Sequence, residues 1–263
     1  MKLGTVTYNI AKDWDIKTLI KNLTECKLEG VELRTTHAHK VEITLTADER
    51  RAVRRQFEDA GIEIAGLGTT CEFQAADKAV VHKNIEETKE WIKLAHDLGC
   101  LGVKVRPNGV PKGASLDDTL KQIGDALREC AEFALGYGVH VRVEVHGAVT
   151  AELPNIRKIM DHAAHDNASV CWNSNDTDLD KPEAPGTPPS VERNFQLVAQ
   201  EITAVHMRDL HLEHYPWRQL FRLLHEIGFD GYCLAEIPES ADPVRLLKYY
   251  RALWLAYQPE ASS

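Results

Sequence analysis

The chain has 263 residues, 43% hydrophobic and 27% charged, which is enough apolar material for a sizeable core in a globular protein. Its formal net charge of -9 offers no general field for a phosphate backbone, so nucleic acid is not expected as a partner. No apolar run is long enough to span a bilayer, the six cysteines are scattered without a CxxC pair, and Met1-Lys2 runs into a strand with no signal-peptide pattern. No membrane partner and a reducing, cytoplasmic setting are therefore expected.

In chain order, a β-rich run at 3–8 is followed by Ile16, Leu19, Ile20 and Leu23 at helical spacing over 15–27. A strand at 31–35 precedes a helix at 46–60 that opens with Thr46-Ala-Asp-Glu49, a capping box. A strand at 62–67 leads to a helix at 82–98, with Ile85, Trp91, Ile92 and Ala95 along one side. Strands at 102–106, 139–146, 169–173, 203–208 and 231–236 then alternate with helices at 115–137, 151–165, 189–200, 216–227 and 242–257. Gly30, Gly61, Gly99, Gly138, Asn167 and Gly228 stand where helix C-caps are wanted. Eight βα units in ~250 residues predict an α/β fold, a single (β/α)8 TIM barrel spanning 1–263. The rival is an open doubly wound sheet, but no GxGxxG follows the first strand. The Pro-rich stretch 181–189 reads as a rigid loop on the rim.

Strand alternation then sorts the polar residues, because one face of each barrel strand meets helices and the other meets the axis. In strand five Val139, Val141, Val143 and Val145 share one face, leaving His140, Arg142, Glu144 and His146 for the interior. The same parity turns inward Glu32 and Arg34, Lys104 and Arg106, His206 and Arg208, and Glu236 with Leu234. Glu144, His206 and Glu236 lie at the strand ends where barrel active sites are built. Arg142, Glu32 and His140 fall lower and are expected to form an interior ion-pair network, such as Arg142 with Glu32 or Glu144. His211, His214 and the histidines of the TTHAH run at 35–39 are expected to be loop decoration.

Segments GVELR (30–34), VRVEVHG (141–147), VHMRDL (205–210) and GYCLAEIPES (231–240), in that order, resemble the xylose-isomerase-like TIM-barrel superfamily of sugar phosphate isomerases and epimerases. The resemblance covers essentially the whole chain. It implies one divalent metal, manganese first with magnesium, cobalt or zinc as alternatives, held by Glu144, Asn173, His206 and Glu236. Asn173 stands where the family has an aspartate, and the family's nearby histidine falls at about Asp176. Asp176 or His146 could then compensate in the coordination shell. The family's multi-zinc endonucleases use a richer ligand set than this chain offers.

Such a site suits proton transfer at a carbon beside a carbonyl, with Glu144 and Glu236 moving the proton. Lys104, Arg106, His146 and Arg208 would bind substrate oxygens. The expected activity is that of a sugar isomerase or epimerase acting on a small keto-sugar or derivative. A keto-sugar lyase or dehydratase using the same first step, and a non-catalytic sugar-binding barrel, are the alternatives. The loop Asp209–Trp217 has no glycine-rich phosphate cradle, which favours an unphosphorylated substrate. Trp254, Leu255 and Tyr257 suit either a contact in a homo-oligomer or packing against the barrel.

Overall fold

A computed structural model describes residues 1–182 and 184–259. Eight parallel strands close on themselves in sequence order, with β1 hydrogen-bonded to both β2 and β8. The strands are β1 (Lys2–Val6), β2 (Gly30–Arg34), β3 (Glu63–Glu72), β4 (Gly102–Arg106), β5 (His140–Glu144), β6 (Ala168–Asn173), β7 (Ile202–Met207) and β8 (Tyr232–Ala235). The helices between and after them are α1 (Ile16–Cys26), α2 (Ala47–Ala60), α3 (Lys78–Leu98), α4 (Leu116–Leu135), α5 (Leu153–Ala163), α6 (Glu192–Gln196), α7 (Trp217–Glu226) and α8 (Pro243–Tyr257). The (β/α)8 barrel is thus as the alternation predicts.

Local chemistry sets the helix starts. Thr46 and Glu49 close the expected capping box on α2, and the side chains of Asp15 and Ser115 accept backbone N–H groups at the starts of α1 and α4. Asp77 does the same for Ala79, so α3 begins at Lys78, four residues before the apolar periodicity becomes visible. The ends depart further from expectation. Gly61 and Gly99 are left-handed C-caps, but Lys27 (φ 55°) and Ala164 (φ 44°) take that role in place of Gly30 and Asn167. The predicted helix at 189–200 is reduced to α6 and a short 3-10 turn. Of the Pro-rich stretch, Glu183 lies outside the described residues.

The strand parity holds. Val103, Val105, Val139, Val141, Val143, Val145 and Val205 are at most 1% exposed and belong to the main apolar core with Leu120, Leu127, Ile156 and Leu220 of the helices. Each fully buried aliphatic side chain is worth about 1.5–3 kcal/mol. A one-residue slip of β5 would exchange this valine face for Arg142 and Glu144, so the register is strongly fixed. Val6, Ala65, Tyr232 and Leu234 form a separate small apolar cluster.

Several charged side chains also face the axis, and three strand glycines make room for them. A Cβ on Gly102 would lie 2.2 Å from Cζ of Arg142. One on Gly66 would lie 2.9 Å from a Glu32 carboxylate oxygen, and one on Gly68 2.8 Å from the other. Bare backbone on β3 and β4 therefore accommodates large charged side chains from β2 and β5. Arg142 spans this space, donating to the Ala65 carbonyl at 2.8 Å and to Thr203 Oγ1 at 3.1 Å. The expected ion pair of Arg142 with Glu32 or Glu144 is not formed. The bare β3 backbone offers its carbonyl as acceptor instead.

At the outer edge, Trp254 packs edge-on to Phe221, while Tyr257 lies against Phe221 and donates to the Leu210 carbonyl. Both therefore serve the α7–α8 layer, whereas Leu255 is exposed. All six cysteines are free and buried. No helix among the described residues is long and apolar enough to cross a membrane.

Candidate active site

Glu144 ends β5, His206 lies near the end of β7, and Glu236 follows β8 directly. Parallel pairing places Cys171 beside Glu144, Asn173 beside His206 and His206 beside Leu234, so neighbouring strands deliver these side chains to one level. His206 Nδ1 lies 3.4 Å from Glu144 Oε1 and 3.6 Å from Glu236 Oε2. One ligand atom from each of the three lies within 4.8 Å of the others. Nδ1 is buried and makes no hydrogen bond. An unpartnered imidazole nitrogen facing two carboxylate oxygens is the donor set of a divalent cation, which a tetrahedral or octahedral ion would satisfy at ~2.0–2.2 Å. These residues fit such an ion.

Asn173 joins the cluster through Nδ2, which donates to Glu144 Oε1 at 3.1 Å. Its amide therefore orients a carboxylate. Glu144 Oε2 accepts from Lys104 Nζ at 2.8 Å, with both groups almost fully buried. Burial alone would raise the Glu144 carboxyl pKa, but Lys104, His206 and His146 together hold it well below the usual range. Burial would likewise discharge Lys104, yet Glu144, Glu32 and Glu236 keep it above its ordinary value. His206 behaves similarly. Burial lowers it, whereas Cys171, Glu32 and Glu236 raise it well above the ordinary histidine value. The carboxylates thus demand a positive charge at this point, and proton or metal ion can supply it.

Glu32 is a residue whose place the sequence does not reveal. Its Oε2 lies 3.2 Å from His206 Nε2, on the far side of the ring from Glu144 and Glu236. That bond fixes the imidazole orientation and leaves Nδ1 for the cluster, the usual arrangement of an outer carboxylate behind a metal-ligating histidine. Glu32 therefore belongs to the site rather than to an ion pair with Arg142. The alternating Gly66 and Gly68 were the available signal, since bare positions on a barrel's inner face imply a large neighbour.

Around the mouth, Arg106 pairs with Glu72 at 2.6 Å, and Asn108 donates to the same oxygen. Arg208 pairs with Asp176 at 2.8 Å. Asp176 is mostly exposed and is also 3.3 Å from His214, so it stands apart from the cluster and does not compensate for Asn173. His146 Nδ1, Arg106 Nε and Arg208 Nε are buried without partners. His140 lies at the other end of the barrel, where it and Arg142 line a cavity of about 810 Å³. His39 of the TTHAH run is buried, contrary to expectation. Its Nε2 donates to the Arg34 carbonyl at 2.9 Å, and its Nδ1 accepts from the Val41 N–H at 3.0 Å.

A closed eight-stranded barrel thus gathers two glutamates and a histidine at the strands' C-terminal ends, where α/β barrels of this class build their sites. The chain belongs to the xylose isomerase-like TIM barrel family, whose pattern matches residues 20–254. No curated protein matches the sequence. Among solved structures, it is similar to 3-keto-D-glucoside 4-epimerase YcjR from E. coli in its apo form, with TM-score 0.78, 15% identity and coverage of 97% of this chain and 99% of that one. D-psicose 3-epimerase from Clostridium cellulolyticum H10, solved with D-tagatose, gives TM-score 0.80 at 12% identity, covering 98% and 100%. The IOLI protein with a bound zinc atom gives 0.75 at 17% identity, covering 98% of each.

Proposed function

We propose that this protein is a metal-dependent sugar isomerase or epimerase, moving a proton at a carbon beside the carbonyl of a keto-sugar or its derivative. The observation that carries the reading is the convergence of Glu144, His206 and Glu236 around the unpartnered His206 Nδ1. That epimerases share the fold adds to it. Glu144, His206 and Glu236 would hold the ion, with the Asn173 amide beside them. Such an ion, with manganese, magnesium, cobalt or zinc all compatible, would supply positive charge to polarise the substrate carbonyl.

The chain's own residues supply the rest. Glu32 holds the His206 ring in place. Lys104 and Asn173 keep Glu144 ionised and oriented. Glu236 is the more accessible of the two, 21% exposed, and its carboxylate accepts no hydrogen bond among the described residues. In this reading Glu236 takes or returns a proton from a substrate entering the mouth, with Glu144 serving the opposite face. His146 Nδ1, Arg106 Nε and Arg208 Nε offer unused polar positions for substrate oxygens.

The test is hydrogen exchange. The manganese-loaded chain, incubated in D2O with a panel of ketoses and keto-acid sugars, is expected to incorporate deuterium at the carbon beside the carbonyl, as read by NMR. Glu236→Gln should abolish that exchange with the fold retained. Absence of exchange across the panel, or exchange that survives Glu236→Gln, would overturn the assignment.

A further inference from the structure

Arg34 ends β2 on the inner face, directly above Glu32. Its backbone is pinned on both sides by side chains: its N–H donates to Thr7 Oγ1 at 2.9 Å, and its carbonyl accepts from His39 Nε2 at 2.9 Å. Gly68 on β3 leaves open the space beside it, since a Cβ there would lie 3.4 Å from Arg34 Cδ. The guanidinium lies over the Tyr8 ring, 5.8 Å from its centroid. Much of the chain near the mouth is thus arranged to hold one arginine still.

What that arginine lacks is a counter-ion. Lys104 has Glu144, Arg106 has Glu72, and Arg208 has Asp176. Arg34 pairs with no carboxylate among the described residues, and its one side-chain hydrogen bond goes from Nη1 to the Thr35 carbonyl at 3.2 Å. Burial, and then the Arg106 charge, push its pKa below the ordinary arginine value, against the smaller opposing pull of Glu144 and Glu32. A guanidinium stays charged regardless. Arg106 Nε is buried and unpartnered, although its Nη2 pairs with Glu72. Glu72 partners Arg106 but no carboxylate pairs with Arg34, and an incoming anion would supply that missing partner.

We propose that Arg34, with Arg106, is the specificity-determining pair for a carboxylate on the substrate, so that the site takes a sugar acid in preference to a neutral sugar. This rests on the reading of the barrel mouth as a sugar-handling site and narrows its substrate class. A guanidinium fork suits the oxygens of a carboxylate and of a phosphate alike, so the choice between them falls to the backbone around the mouth. The loop Asp209–Trp217 after β7 offers no glycine-rich phosphate cradle.

The experiment measures binding, so it does not depend on turnover. Manganese-loaded protein is titrated by calorimetry with D-gluconate, with sorbitol, its neutral counterpart, and with sorbitol 6-phosphate. A charge-assisted pair predicts that gluconate binds about tenfold to a hundredfold more tightly than sorbitol. Arg34→Gln should remove that preference with metal content, measured by elemental analysis, unchanged. Arg34→Lys, which keeps the charge but not the fork, should retain part of it. Equal affinities for gluconate and sorbitol, no binding of either, or a preference that survives Arg34→Gln would overturn the proposal. Tighter binding of sorbitol 6-phosphate than of gluconate would assign the pair to phosphate and overturn the carboxylate. Failure of deuterium exchange with every ketose would overturn the proton-transfer reading and leave the gluconate preference to stand or fall separately.

Discussion

His39 provides a quantitative handle on how the mouth is built. The ring is 4% exposed, and its two nitrogens have complementary partners, one donating to the Arg34 carbonyl and the other accepting from the Val41 N–H. Only the neutral ring can do both, because protonation of Nδ1 would set two donors face to face. Burial, against a smaller opposing effect of the Arg34 carbonyl, lowers the pKa from 6.5 to about 4. Above pH 6.5 the ring is neutral in folded and unfolded chains alike, and nothing changes with pH. Between 6.5 and 4 the unfolded chain takes up a proton that the folded chain refuses, so stability falls as pH is lowered through this window. A shift of this size amounts to about 3 kcal/mol. For a chain of this length that corresponds to a fall in Tm on the order of 5–10 °C. Carboxylates titrate in the same window, so the measurement is a comparison. Calorimetric Tm is followed from pH 8 to 4 for the wild type and for His39→Gln, which keeps a donor for the Arg34 carbonyl but cannot ionise. The variant is expected to start lower by about 1 kcal/mol, for the lost Val41 bond, and to show the shallower slope. Parallel curves would refute the assignment of the neutral ring.

Two further substitutions probe the axis. Asn173→Asp replaces an amide donor 3.1 Å from Glu144 by a carboxylate. The metal-free variant should be destabilised by about 1–3 kcal/mol, and manganese should raise its Tm by more than it does for the wild type, as thermal shift would show; an unchanged metal response would place Asn173 outside the coordination shell. Gly102→Ala puts a methyl where the Arg142 guanidinium lies, breaking its bonds to Ala65 and Thr203 at a cost of about 1–3 kcal/mol in chemical denaturation. Arg142→Met should suppress much of that cost in the double variant.

The barrel was legible in the sequence because its signals are local and repeated. The alternating valines of β5 suffice to turn Glu144 inward, and the same two-residue period carries Lys104 and His206 with it. Other features depend on what lies across the barrel. The slip in register between Val31 and Glu32 against β3 brings Glu32 level with Gly66 and lets it reach His206; one strand read alone cannot show it. Arg142 finds a carbonyl and a hydroxyl because β3 and β7 present them, not because its own neighbours in sequence do. His39 reads as an exposed loop residue until the loop is seen folding back over Arg34. Lys27 and Ala164 hold left-handed caps where glycine would be more comfortable, so a search for glycine misplaces both helix ends.

The exchange of space between Gly102 and Arg142 also has a historical side. A strand position without a side chain is unused volume only on its own strand; the neighbouring strand has already occupied it. Drift at either site is consequently tied to drift at the other. A descendant that gains a side chain at position 102 must shorten residue 142, and one that loses the arginine leaves a hole that a bulkier residue at 102 can fill. Among relatives aligned on this barrel, the volumes at the two positions should rise and fall in opposition, while each position by itself looks freely variable.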